Sequence, residues 1–269
     1  MSPRRRVSAN ELAVLGSQLG ARDQSILATV DRLRLATARQ LERLHFREDP
    51  TVSNARQARR GLERLVRLGV LSRLDRRVGG VRAGSSGFVY ALDVAGQRLL
   101  SLADGGRYRS PWTPGAAFVA HALQVSELYV QLVEADRQGE LDLLAFEAEP
   151  VCWRAFTGPG GGRLILKPDA YLRVGVGLFE DAWFVEVDRA TESPRTLERK
   201  LIQYRRYWAS GREQARHNLF PLILLLVPHE GRERVALDLC RRQPADSRAL
   251  FRVALYEQAP TILRGGEHD

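Results

Sequence analysis

Three carboxylates and two lysines lie in the middle of this sequence, and side chains of these types can together cleave a phosphodiester. Asp169 is followed, after 16 residues, by Glu186 and then Asp188. Only two of the 41 basic residues are lysines, Lys167 and Lys200, and both flank these carboxylates. An ammonium can lose a proton or contact a metal-bound water, whereas a guanidinium stays charged and planar. Retention of lysine at these two positions is therefore a first indication of chemistry.

The spacing of the carboxylates predicts that they converge. Glu186 and Asp188 lie on a predicted strand, 182–188, and residues two apart on a strand point to the same face. If that strand pairs with the predicted strand 164–174, Asp169 joins them. Three clustered carboxylates cost free energy unless a divalent cation neutralises them. Oxygen ligands suit Mg²⁺ or Mn²⁺, which lower the pKa of bound water and stabilise charge on a phosphodiester.

The same residues resemble a known signature. Pro168-Asp169 followed by Glu186-x-Asp188 resembles the PD-(D/E)XK motif of restriction-type phosphodiesterases, and the predicted element order over 116–228 is similar to that core. The resemblance implies a Mg²⁺-dependent nuclease-like domain with Asp169, Glu186 and Asp188 at the metal. The motif has lysine where this chain has Asp188.

Two lysines are candidates for that missing role. Lys200 lies on the helix predicted after the carboxylates, and Lys167, two residues before Asp169, is expected on the same strand face as Asp169. Gln203-x-x-x-Tyr207 resembles the Q-x-x-x-Y element of some nucleases of this fold. Lys200, Gln203, Tyr204 and Tyr207 are spaced to share one helix face. The candidate catalytic residues are Lys200, Lys167, Gln203 and Tyr204.

A structural role for each carboxylate remains an alternative. Asp169 follows a proline, so it could cap a turn. Glu186 and Asp188 could form exposed ion pairs with nearby arginines such as Arg189 or Arg195. In that case the domain has lost its chemistry and the protein is a DNA-binding regulator of transcription or replication.

The positive charge is concentrated in the first part of the chain. Residues 1–110 carry a net charge of +11 and residues 111–269 a net charge of −2. A basic module joined to a near-neutral one indicates a polyanion binder attached to a second function. Double-stranded DNA is the expected partner.

The element order in this basic module predicts a winged helix-turn-helix. Three helices are expected at about 23–34, 38–44 and 53–68, followed by strands at 70–74 and 88–92 joined by a glycine-rich wing. Such a module places its third helix in the major groove and its wing on the phosphates. The candidate DNA-binding residues are Arg56, Arg59, Arg60, Arg64 and Arg67 on the third helix and Arg76, Arg77 and Arg82 in the wing.

Over the whole chain the pattern resembles the replication-relaxation family of mobile elements. A helix-turn-helix is followed by Lys167-Pro168-Asp169, then Glu186-x-Asp188-x-x-Thr191, then Lys200-x-x-x-Tyr204. The resemblance implies a role in plasmid replication, DNA relaxation or mobilisation. Other plasmid replication or transfer proteins and a second copy of the chain remain open as further partners.

The expected fold class is α+β or α/β, with an N-terminal winged helix-turn-helix and a C-terminal mixed-sheet restriction-endonuclease-like domain. The expected boundaries are a flexible tail or short helix at 1–20, the winged helix at 21–102, a linker at 103–115, the nuclease-like domain at 116–258 and a tail at 259–269. Cys152 and Cys240 lie too far apart for a paired metal motif. The chain has no run of 18 apolar residues, so no membrane partner is expected and a cytoplasmic location is predicted.

Overall fold

The structure is a computed structural model that describes residues 7–47, 53–74, 87–104 and 114–265. The chain divides into two compact units, residues 1–130 and 131–269. The connection at 75–86, with the wing arginines Arg76, Arg77 and Arg82, lies outside the described residues, as does 105–113 of the expected linker.

The first unit is built from helices and a small antiparallel sheet, in the predicted order apart from the two-residue strand β1, which was not predicted. In that sheet β3 lies between β1 and β2. The elements are α1 (Ala9–Ser17), α2 (Ala21–Leu33), β1 (Ala36–Thr37), α3 (Ala38–His45), α4 (Asn54–Arg67), β2 (Leu71–Leu74), β3 (Val89–Leu92), α5 (Val94–Asp104) and the start of α6 (Ala116–Arg137).

Local signals in the sequence explain where these helices begin and end. Thr37 caps α3 as predicted: its hydroxyl accepts from the Gln40 N–H at 3.2 Å, and the Gln40 side chain accepts from the Thr37 N–H at 2.9 Å. Gly69 follows α4 with a φ of 71°, which a glycine adopts without strain. Residues 9–17 form a short helix, and its Leu12 is only 1% exposed. The short-helix alternative for the N-terminal segment is therefore the one observed there.

The beginning of α6 belongs to the first unit. The Gln40 amide donates to the Leu123 carbonyl and to Glu127, both at 3.0 Å, and Arg43 forms an ion pair with Glu127. The buried Ser126 hydroxyl donates to the Leu35 carbonyl at 2.6 Å. These bonds fasten the first half of α6 to α3 and to the segment between α2 and β1.

The second unit contains a five-stranded mixed sheet with helices. Its elements are β4 (Asp142–Ala148), β5 (Arg154–Thr157), β6 (Arg163–Leu166), β7 (Ala170–Val176), β8 (Phe179–Val187), α7 (Pro194–Ala209), α8 (Arg212–His217), β9 (Leu222–Val227), α9 (Glu230–Arg241), α10 (Ala245–Arg248), β10 (Phe251–Leu255) and α11 (Ala259–Leu263).

The strand order is β10-β9-β8-β7-β4, with β8, β9 and β10 parallel and β4, β7 and β8 antiparallel. The predicted mixed α and β fold class is thereby confirmed. The apolar strand β9 lies inside the sheet, and Ile223 to Val227 are fully buried. Burial on both faces accounts for its unbroken run of apolar residues. The segment predicted as a tail begins with a helix, α11, whose Ala259 and Leu263 are also fully buried.

One predicted strand is wrong. The sequence predicts a continuous strand over 164–174, but the structure breaks it between Leu166 and Ala170. β6 pairs with β5 in a separate two-stranded sheet, whereas β7 pairs with β4 and β8. Pro168 lies in the break, and a proline has no N–H for a strand ladder. Lys167 and Asp169 therefore do not share a strand face.

Helix α6 is long and apolar enough to cross a membrane by length and composition alone. The helix has 22 residues, its most apolar 18-residue window has a mean hydropathy of 1.2, and half of that window is buried inside the structure. Core helices of soluble proteins pass the same test. Leu128, Val130 and Leu132 are fully buried, which indicates a core helix.

We predict that Gly96→Ala destabilises the first unit. A Cβ at Gly96 in α5 would lie 2.2 Å from the Val70 carbonyl oxygen and 3.3 Å from a Leu92 methyl, so backbone must move. The free energy of unfolding in urea should fall by about 2 kcal/mol or more. Gly16→Ala is the matched control, because its Cβ meets nothing closer than Leu99 at 3.7 Å. It should change stability by less than about 1 kcal/mol, and equal losses in the two variants would contradict the prediction.

Candidate functional site

Two of the three predicted carboxylates meet at the β7–β8 pair. Asp169 immediately precedes β7, and Ala170 lies opposite Val185 of β8. The Asp169 N–H donates to the Val185 carbonyl at 3.0 Å, and the Asp169 carboxylate accepts from the Val187 N–H at 2.7 Å. These bonds hold the Asp169 carboxylate beside Glu186, which lies between Val185 and Val187 on β8.

Glu186 is held by two side chains of α7. The Tyr204 hydroxyl donates to one carboxylate oxygen at 2.7 Å and the Lys200 ammonium donates to the other at 3.0 Å. Ser193 caps the start of α7, with Pro194 in its first turn. Lys200 and Tyr204 are four residues apart, so they lie one turn apart on the same helix face, as predicted.

The charges in this cluster are strongly coupled. Glu186 is 3% exposed. Burial, reinforced by the charge of Asp169, raises the pKa of Glu186 to about 7, although Lys200 and Tyr204 act in the opposite direction. Burial alone would lower the pKa of Lys200, but the charges of Glu186 and Asp169 outweigh it and the net shift is upward. Lys200 is therefore charged at neutral pH, and its charge opposes the repulsion between the two carboxylates.

Glu192 is a member of this cluster that the sequence did not indicate. Its carboxylate lies 3.2 Å from the Lys200 ammonium, which also donates to Glu186. Glu192 is in the connection between β8 and α7, where no periodic pattern applies. Lys200 thus bridges one buried and one exposed carboxylate.

Asp188 does not join the carboxylate pair. It follows the last residue of β8 and forms an ion pair with Arg232 of α9, with 2.5 Å between Oδ2 and Nε. Its other oxygen accepts from the Ala190 N–H at 2.8 Å. Residues two apart share a face only within a continuous strand, and Asp188 lies beyond the end of β8. The position at which the signature has lysine is occupied here by half of a buried ion pair.

A pocket of about 390 Å³ opens beside Glu186. It is lined by Ile165, Leu166, Lys167, Glu186, Lys200, Gln203 and Tyr204. Lys167 is exposed, and its ammonium lies 4.7 Å from the centre of the Trp153 ring. The Gln203 amide donates to the Ile165 carbonyl at 2.7 Å and so joins α7 to β6. All four candidate catalytic residues therefore line one pocket, although Lys167 does so from a loop.

Tyr207, which was expected on the same helix face, has a different partner. Its hydroxyl donates to the fully buried Glu213, whose other oxygen lies 3.7 Å from the Arg154 guanidinium. Arg154 also contacts Glu147 at 3.2 Å and lies over the Tyr171 ring. This buried charge network was not predicted, because a glutamate in a short polar helix gives no sign of burial.

A family model described as "Replication-relaxation" matches residues 27–223, which is most of the chain. The chain belongs to the replication-relaxation family. No curated protein and no solved structure matches it. The matched region runs from α2 into β9 and contains Asp169, Glu186, Lys200 and Tyr204. Membership in the replication-relaxation family supports a role in the replication or relaxation of plasmid or mobile-element DNA.

The carboxylate pair of Asp169 and Glu186 is the candidate metal site. Among the described residues, no group of three or more histidine, cysteine, aspartate or glutamate side chains is arranged to hold a metal ion. Asp169 and Glu186 supply two carboxylates, and Mg²⁺ commonly takes one or two from a protein and completes its shell with water and phosphate. Each Glu186 oxygen accepts one hydrogen bond and has a further acceptor site. The pair therefore fits Mg²⁺ or Mn²⁺ in the number and kind of its ligands, without Asp188.

The arginines of α4 divide into two groups. Arg64 forms an ion pair with Asp23 of α2 and also donates to the Gln18 carbonyl, so it fastens α4 within the unit. The other four predicted DNA-binding residues of this helix are exposed: Arg56, Arg59, Arg60 and Arg67. The opposite face of α4 is buried through Ala58, Leu62 and Leu65.

We predict that Lys200→Met destabilises the protein more at about pH 8 than at about pH 5, in buffer containing EDTA. In the variant, Glu186 keeps its burial and its neighbour Asp169 but loses its cation, so its pKa rises further above the unfolded value. The folded state then binds more protons than the unfolded state between those two pKa values, and stability falls as pH rises through that window.

In urea unfolding, the free energy of unfolding of Lys200→Met should be about 2 kcal/mol below that of the wild type at the higher pH. At the lower pH the two proteins should differ little. Removing one partner of a fully buried pair costs more than this, but the Lys200 side chain is 35% exposed. The control is the double variant Glu186→Gln/Lys200→Met, which removes both charges and should lose the pH dependence. Equal losses for Lys200→Met at the two pH values would contradict the assignment.

Proposed function

We propose that this protein binds plasmid or mobile-element DNA through its first unit and nicks it with a Mg²⁺-dependent phosphodiesterase site in its second unit. The observation that carries the proposal is the contact of Lys200 with Glu186 beside Asp169. In the signature, the ammonium comes from a lysine at the position of Asp188. Here Lys200 of α7 would supply that ammonium. Family membership supports the setting in replication, relaxation or mobilisation.

DNA binding by the first unit is supported by its element order and its charge. Helices α2, α3 and α4 are followed by the antiparallel strands β2 and β3, with β1 added to the sheet, which is the order of a winged helix-turn-helix. The exposed arginines of α4 extend from Arg56 to Arg67, about 16 Å along the helix. A helix of this kind can enter the major groove with its arginines near phosphates and base edges.

The proposed chemistry assigns a task to each member of the cluster. Asp169 and Glu186 would hold the Mg²⁺ ion, which when bound supplies charge stabilisation and a more acidic water. Lys200 would stabilise negative charge on the scissile phosphate, and its raised pKa keeps it charged for that purpose. Tyr204 is a positioning residue, because its hydroxyl fixes one Glu186 oxygen. Gln203 and Lys167 line the space that the phosphate would enter.

A second candidate function is a DNA-binding regulator whose nuclease-like unit has no catalytic activity. The specific observation in its favour is Asp188, which stands in the place of the signature lysine and is committed to Arg232. Under this alternative, Lys200 and Glu186 form an ion pair that stabilises the second unit, and no metal is needed.

We predict that the wild-type protein converts supercoiled plasmid to open circles when Mg²⁺ or Mn²⁺ is present. Glu186→Gln and Asp169→Asn should each slow nicking by roughly 100-fold or more, since loss of one stabilising group in an active site has effects of this size. The matched control is Glu180→Gln, because Glu180 is an exposed carboxylate on the same strand whose partner is Arg173. Absence of nicking by the wild type with any divalent metal would favour the regulator.

A separate prediction tests DNA binding by α4. Replacing Arg56, Arg59 and Arg60 with alanine should weaken binding to duplex DNA and reduce the slope of log K against log salt by about 1 for each phosphate that is no longer neutralised. Fluorescence anisotropy with a labelled duplex, between about 50 and 200 mM salt, measures both quantities. A triple alanine variant of Arg234, Arg241 and Arg242 on α9 removes the same charge and should bind like the wild type. Equal weakening in both variants would show that net charge, and not α4, determines binding.

A further inference from the structure

The outer side of α7 carries a second row of arginines, in addition to that of α4. Arg195, Arg199 and Arg206 are all exposed. At about 100° per residue they lie within about 40° of one another around the helix and extend over about 16 Å. We refer to these three residues as the arginine stripe. Tyr204 lies on the opposite, buried side of the helix, and Gln203 lies between the stripe and Lys200.

The stripe is placed next to the pocket. Gln203, which lines the pocket, donates to the Ile165 carbonyl of β6 at 2.7 Å. Arg163 is exposed and lies two residues from Ile165 on β6, on the same strand face. Lys167 is also exposed and lines the pocket. Cationic side chains are therefore present on both sides of the α7–β6 contact that borders the pocket.

Among the described residues, no acidic side chain forms an ion pair with the stripe, whereas some exposed arginines elsewhere have acidic partners. Arg234 on α9 pairs with Glu230, and Arg242, which caps the end of α9, pairs with Asp238; the partners are four residues apart in each pair. In the part of the chain that the structure describes, Arg195 and Arg206 form no ion pair, and Arg199 bonds to the Thr196 hydroxyl at 3.1 Å. The acidic residue of α7, Glu198, forms no ion pair with these arginines in the described structure, so their positive charge remains available to an anionic partner.

We propose that the arginine stripe binds the phosphate backbone of duplex DNA and directs it to the pocket beside Glu186. The inference rests on the proposed function and adds a second DNA-contacting surface to that of α4. Duplex DNA is the partner favoured, because single-strand binding sites stack bases on aromatic rings and the α7 tyrosines Tyr204 and Tyr207 are buried. Backbone contacts of this kind fix register and position.

The test measures duplex binding by the full chain with the α4 surface already weakened. Arg56→Ala/Arg59→Ala/Arg60→Ala is the background, and alanine is then introduced at Arg195, Arg199 and Arg206. The control introduces alanine at Arg234, Arg241 and Arg242 in the same background, so both proteins lose the same charge. The stripe variant should lose affinity by about 10-fold or more, with the salt slope reduced by about 2 to 3, because about one counterion is released for each phosphate neutralised. The control should match its background.

The outcomes separate this inference from the proposed function. If the wild type binds duplex DNA and the α4 variant is weakened, but the stripe and control variants are equal, the stripe is not a DNA surface and the proposed function stands. If the wild type fails to bind duplex DNA, the proposed function itself fails. A stripe variant that loses affinity for a single-stranded oligonucleotide but not for the duplex overturns the choice of partner.

A charge-preserving variant distinguishes the loss of charge from damage to the fold. The variant Arg195→Lys/Arg199→Lys/Arg206→Lys, in the same α4 background, retains three point charges. Its affinity for duplex DNA should stay within about 3-fold of the background, since phosphate attraction depends mainly on charge. If the lysine variant loses as much affinity as the alanine variant while both keep the wild-type circular dichroism spectrum and unfolding midpoint, backbone attraction is not the cause.

Discussion

The second unit depends on the neutralisation of one buried carboxylate. Glu186 lies inside the sheet layer next to a second carboxylate, Asp169, and an unpaired charge there would cost several kcal/mol. Lys200 and Tyr204 meet this requirement together, and they can do so only if α7 crosses β8 with these two residues facing inward. The β7–β8 register, which brings Asp169 beside Glu186, is part of the same arrangement. This contact, together with the packing of the buried Leu197 and Leu201, holds α7 against the sheet and so shapes the pocket.

This requirement also accounts for the retention of lysine in an arginine-rich chain. The Lys200 ammonium has to fit between Glu186 and Glu192, at 3.0 and 3.2 Å, while its side chain lines the pocket. A compact ammonium on a flexible stem can donate in these two directions, whereas a planar guanidinium presents its donors as a fixed fork. Lys167 has no comparable constraint, because it is exposed and lies over the Trp153 ring. The compositional signal therefore has a clear physical basis at one of the two positions.

Helical periodicity predicted more of this site than strand periodicity did. The spacing of Lys200 and Tyr204 placed both on one face of α7, and the unbroken apolar run of β9 indicated a buried strand. The two-residue period failed wherever a strand ended: Pro168 separates Lys167 from Asp169, and Asp188 lies just past β8. Ion pairs between distant residues were not predictable, since Arg64 with Asp23 and Arg154 with Glu213 are brought together by the tertiary fold and not by spacing along one helix or strand. Five arginines on α4 look equivalent in the sequence, yet one of them has a structural partner.

In the proposed site, the ammonium is carried by α7, whereas the signature places it on the strand at position 188. This difference changes which element would hold the ammonium in place. In a strand-borne arrangement the ammonium is fixed by the sheet, but Lys200 is carried by a 16-residue helix. Asp188 instead ties the end of β8 to α9 through Arg232, which fixes the strand and leaves the position of Lys200 to α7. The same rigid helix carries the arginine stripe on its outer side. A DNA backbone held by that stripe would thus be fixed relative to Lys200 by a single element, with the Gln203 contact to β6 setting its distance from the strands that carry Asp169 and Glu186.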